Sequence, residues 1–73
     1  MQQKHKIEIT TRDRVMRAWE NSMDLARNYE LCAKDIQDNS EAAQAFFAFA
    51  EEEALHAARF KEILNHYNAQ NRS

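Results

Sequence analysis

Not one glycine or proline occurs in this chain of 73 residues. Sheets and loop-rich folds of this size turn on those two residues, because glycine supplies positive φ and proline presets a turn. The remaining stock, rich in Ala, Glu, Arg, Lys, Gln, Leu and Met, favours helix almost throughout. The expected fold class is therefore all-α.

The one punctuation mark is Asp38-Asn39-Ser40. It divides the chain into two helices, expected at about 11–37 and 41–67. Thr10 or Thr11 is placed to cap the first, with Asp13 in its opening turn. Asn39 or Ser40 caps the second, and Glu41 favours its start. Residues 1–10 read as a loose arm, 11–68 as the helical hairpin and 69–73 as a frayed tail. So short a break makes the two helices antiparallel neighbours.

Both helices carry a seven-residue pattern. In the second it reads Ala42, Phe46, Phe49, Glu53, His56, Phe60, Ile63, Tyr67. In the first it reads Met16, Trp19, Met23, Ala26, Glu30, Ala33, Gln37, widened on one side by Val15, Tyr29 and Ile36. Seams of this period pack as left-handed bundles. Two helices cover such seams poorly, and a chain this short is marginal alone. With Cys32 as its sole cysteine it has no disulfide to staple it. The expectation is an obligate homodimer, two hairpins forming a four-helix bundle, with Phe47 and Leu55 left over for a further contact between dimers.

Glu53 and His56 stand inside the second seam, three residues apart and so on one helix face. A lone carboxylate there costs several kcal/mol to bury or is forced to protonate. A divalent cation removes that cost, since it takes carboxylate oxygen and imidazole nitrogen together. The plainer alternative is a polar pair that sets helix register. Glu51 and Glu52 lie off the seam, as a solvated acidic face. Tyr29, Trp19, Met16 and Met23 read as core, and Cys32 as a small buried hydrophobe.

The segment Phe46–Phe60, with Phe46, Ala50, Glu53, His56, Ala57 and Phe60, resembles the second helix of the rubrerythrin branch of the ferritin-like superfamily. Glu-x-x-His on facing helices is the ligand motif of ferritin-like di-iron carboxylate bundles. A full rubrerythrin bundle has four helices in one chain, and this chain is half of that. It is thus similar in design to the encapsulated ferritins, in which two-helix chains complete a di-iron site across a dimer interface. The resemblance implies a ferritin-like four-helix bundle, an iron cofactor in a di-iron centre, and iron oxidation or reduction of oxygen or peroxide. It also implies a glutamate from the first helix. Glu20, thirty-three residues before Glu53, is close to the rubrerythrin separation, though in the heptad register it sits beside the seam, next to Met23. Glu30 is the alternative, in the seam but about 15 Å further along the helix. The metal set is then Glu20, Glu53 and His56, with manganese or zinc as other possible occupants. A peroxidase cycle would draw on a separate electron donor, and mineral storage on an encapsulating shell. The rival reading is a non-catalytic helical dimerisation module, with a degenerate site or a single ion such as zinc held by two glutamates and two histidines.

Other classes are disfavoured. A net charge of −2 with interspersed signs is no nucleic-acid surface. No apolar run reaches membrane-spanning length, and the N-terminal residues lack a signal-peptide core, so the expected compartment is the cytoplasm. No Gly-rich phosphate loop exists, and no nucleophile–base pair with an orienting third group can be identified.

Overall fold

The computed structural model describes residues 10–70, which form two helices, α1 (Thr11–Asp35) and α2 (Ser40–Gln70). The described residues contain no strand. The loose arm expected at 1–10 lies outside them apart from Thr10, as do residues 71–73 of the expected tail.

Both helix starts are fixed by side chains. Thr10 is the N-cap of α1: its Oγ1 accepts from the Asp13 backbone N–H at 3.1 Å, and the Asp13 carboxylate accepts from the Thr10 N–H at 3.4 Å. This reciprocal box satisfies two of the donors that every helix start leaves free. Asn39 caps α2 with a single side-chain bond, its Oδ1 accepting from the Ala42 N–H at 3.0 Å. α1 ends two residues before the expected Gln37, because Ile36 turns extended (φ −76°, ψ 119°) after its N–H closes the last helical bond to the Cys32 carbonyl. α2 continues three residues beyond the expected Tyr67, since nothing in Asn68-Ala69-Gln70 breaks a helix.

The helices pack antiparallel. Arg12 Nε donates to Asn68 Oδ1 at 3.0 Å at the open end. Midway, Lys61 Nζ lies 4.5 Å from the Trp19 ring centroid. Towards the turn, Tyr29 meets Phe46 at 5.7 Å between ring centroids. No helix among the described residues is long and apolar enough to cross a membrane.

The contact seam is turned relative to the expected one. The covered row of α1 is Val15, Trp19, Ser22, Ala26, Tyr29, Ala33, Ile36. That of α2 is Phe46, Ala50, Glu53, Ala57, Phe60, Leu64, Tyr67. Small residues explain the choice. Ser22, Ala33 and Ala57 are all buried, and they let the two backbones close together where Met23 and His56 would hold them apart. The bulkier side chains are left on the flanks: Phe49 is 47% exposed and Met23 also faces solvent. Ala42, Ile63 and Met16 of the expected seam are half-covered, while Glu30 and Gln37 are exposed.

At 100° per residue, the two flanks of the hairpin are distinct surfaces. His56 precedes the buried Ala57 by one residue and Ala58 follows it, so the two lie on opposite flanks. Met23 and Ala58 line one shared groove, which neither Glu53 nor His56 borders. The stripe expected on α1 thus leads onto one flank, and the stripe expected on α2 onto the other.

Candidate metal centre

Glu53 belongs to the covered row of α2, between Ala50 and Ala57. Its side chain is 21% exposed. His56, three residues on, sits on the adjoining flank with its side chain 61% exposed. The Glu53 Oε1 and His56 Nδ1 atoms are 3.5 Å apart. That is too long for a strong hydrogen bond. Among the described residues, Glu53 has no other cationic partner within 4.0 Å.

An aromatic cluster adjoins the pair one turn away. Tyr29, Phe46 and Phe49 pack with centroids 5.7 to 6.3 Å apart, two of the three contacts edge-on. Such edge-to-face geometry suits the ring quadrupoles. Tyr29 contributes to this packing, as read from the sequence. The flank that carries His56 is therefore apolar on the Phe49 side, with Phe60 and Ile63 half-covered on the other.

The first-helix candidates lie elsewhere. Glu20 is exposed and sits about 200° around α1 from the buried Ser22, so it points away from α2. It borders a shallow depression with Trp19, Met23, Asp24 and Arg27, on the flank opposite His56. Glu30 is also exposed, lines the groove of that same flank, and pairs with Lys34 at 3.7 Å. One hairpin thus brings Glu53 and His56 together, and holds both Glu20 and Glu30 apart from them. No group of three or more His, Cys, Asp or Glu placed to hold a metal ion occurs among the described residues of the single chain.

The donor set can be tested against a metal on its own dimensions. Two donors on one ion at about 2.1 Å in tetrahedral geometry stand roughly 3.4 Å apart. The separation of Glu53 Oε1 and His56 Nδ1, 3.5 Å, matches that bite. One carboxylate and one imidazole make half of a four-coordinate set, and among the described residues no third His, Cys, Asp or Glu is placed to add to it.

Sequence reasoning missed the contribution of alanine. Ala50, Ala54, Ala57 and Ala58 recur along α2 at spacings of four, three and one, and they define both the tight seam and the groove. The signal was present in the sequence, but it was masked by the larger aromatic side chains beside it. Compared with models of protein families, with curated proteins and with solved structures, the chain finds no match.

Proposed function

We propose that this chain is a metal-binding protein of ferritin-like design, completed when two hairpins pair through the flank that carries Glu53 and His56. The observation that carries this reading is the half-buried Glu53 carboxylate, 3.5 Å from His56 Nδ1 and, among the described residues, without another cationic partner within 4.0 Å. A carboxylate and an imidazole this close on one helix face present an oxygen and a nitrogen donor to the same ion. A second copy doubles the donors to two glutamates and two histidines. It also covers Phe49, which one hairpin leaves half in water.

In this arrangement the Glu53 carboxylates would offset the charge of a bound metal and the His56 imidazoles would supply nitrogen donors to it. Phe46, Phe49 and Tyr29 keep water from the approach along the helix. Iron bound there would supply electrons to oxygen or peroxide, the chemistry that the resemblance to rubrerythrins and encapsulated ferritins implies. Turnover as a peroxidase would draw on a separate electron donor, and storage of mineral on an enclosing shell. Manganese and zinc suit the same donors.

A second reading is favoured by the position of Glu20. A di-iron centre needs more carboxylates than two Glu53 side chains, and Glu20 faces away from them. Its placement favours a single ion held by two Glu53 and two His56, or a dimerisation module without catalysis.

Metal content and mass in solution, measured together on the purified chain, test the proposal. Two irons per dimer, lost in Glu53→Ala and in His56→Ala, support the di-iron form. One ion per dimer, lost in the same variants, supports the single-metal form. A metal-free protein whose stability and mass do not respond to Fe²⁺, Mn²⁺ or Zn²⁺ refutes both and leaves the dimerisation module.

A further inference from the structure

The flank opposite His56 takes no part in the proposed metal site. It forms a groove of about 650 Å³, with Ala54 and Ala58 on the α2 side and Trp19 and Met23 on the α1 side. The alanines leave the α2 backbone nearly bare, so a further helix can approach at the short end of interaxial distances, about 8 Å. The α2 positions on this flank are Phe47, Glu51, Ala54, Ala58, Lys61 and Asn65. Their spacings alternate between four and three, the seam pattern of a paired helix.

The pattern is complementary to itself. When α2 is laid antiparallel on a copy of itself about residue 56, Ala54 meets Ala58 and Glu51 meets Lys61, twice over. Charge supports that pairing. Among the described residues, neither Glu51 nor Lys61 has an ion-pair partner within 4.0 Å. The other two charged residues lining the groove are already engaged along α1, Arg27 with Asp24 at 3.5 Å and Glu30 with Lys34 at 3.7 Å. Lys61 is held at the groove wall by the Trp19 ring, 4.5 Å from its centroid. Its charge is thereby placed at one end of the alanine pair, with Glu51 at the other.

We propose that this groove is the docking site for α2 of a second copy of the chain, in an antiparallel contact centred between Ala54 and Ala58. A single two-fold axis satisfies both alanines and both charges, which is the signature of an isologous interface. The contact is separate from the flank of Glu53 and His56, so it stands whether or not that flank holds metal. Used together, the two flanks build assemblies larger than a dimer.

Charge exchange on the full chain tests this by analytical ultracentrifugation, with a chelator present to silence the metal flank. Glu51→Lys and Lys61→Glu each place two like-charge pairs in the contact. Each is expected to weaken one association step at least about tenfold at low salt. The double exchange E51K/K61E restores opposite charges at both ends and is expected to recover the parent's association. Both positions are exposed, and circular dichroism verifies that the helices persist. Ala54→Trp, which fills the groove, is expected to abolish the same step, while Leu55→Trp on the outer face leaves it intact. Single exchanges that associate like the parent, or a double exchange no better than the singles, would overturn the proposal. A parent chain that stays monomeric at millimolar concentration would do so as well.

Discussion

His56 Nδ1 stands 3.5 Å from Glu53 Oε1, yet the two side chains are unequally covered, 61% and 21% exposed. Glu53 is drawn into the seam by the small residues Ala50 and Ala57 on either side, whereas His56 leaves the helix on the flank. The pair therefore straddles the edge of the hairpin. Its covered member is a carboxyl group held in the seam, and its open member can turn towards a second chain.

That asymmetry separates a metal role from a structural one. An exposed histidine in an i,i+3 pair contributes little to stability. His56→Ala is expected to shift the unfolding free energy by less than about 0.5 kcal/mol in chelator, and to abolish metal uptake. Urea melts with and without chelator, beside metal analysis, check both halves. A large loss of stability in the metal-free protein would show that His56 is a structural partner of Glu53.

Glu20 offers a sharper discrimination. It faces away from α2, on the flank opposite His56. In the hairpin as folded, Glu20→Ala is expected to leave the metal-to-protein ratio unchanged, and Glu53→Ala to reduce it to background. If Glu20→Ala instead removes metal, α1 must rotate in the assembled bundle to turn Glu20 inward. A π-bulge in α1 is the kind of distortion that would achieve this.

The core makes a third prediction. Leu64 is 3% exposed and is the largest buried apolar side chain among the described residues, in a core otherwise made of Ala33 and Ala57. Leu64→Ala is expected to cost about 2–4 kcal/mol, lost transfer energy plus the cavity left behind. For a chain with so small a core that is a large share of its total stability. Leu55→Ala, at a position 70% exposed, is expected to fall within about 0.5 kcal/mol of the parent. Thermal melts of the two side by side check the contrast.

The helices, their antiparallel order and a cap at Asn39 or Ser40 were legible in the sequence because each rests on a local rule; the 3.0 Å bond to the Ala42 N–H picks Asn39. A chain without Gly or Pro and with one Asp-Asn-Ser break has few other options. The seam was legible only to within one residue. Periodicity marks a stripe, but a stripe several residues wide holds more than one row, and size decides which row faces the partner. Phe49 and His56 drew the eye, while Ala50 and Ala57 fit the gap. The placement of Glu53 survives either row, because both include it. The relation of Glu20 to Glu53 was not legible, because sequence separation fixes the level along a helix but not the side of α1 that meets α2.

The caps carry the last prediction. Asn39 closes the link between the helices, and its Oδ1 takes the Ala42 N–H at 3.0 Å while its carbonyl takes the Ala43 N–H at 3.1 Å. Only the first of these bonds depends on the side chain. Asn39→Ala is expected to cost about 1 kcal/mol, and Asn39→Gly only a few tenths. Asn39→Asp keeps an acceptor and adds a charge that favours the helix start, so it is expected to match or exceed the parent. Thr10→Ala removes one half of the reciprocal box with Asp13 and is expected to cost a similar amount at the start of α1. Urea unfolding of the set reads the order directly. If Asn39→Ala is as stable as Asn39→Asp, the 3.0 Å bond does not hold the start of α2.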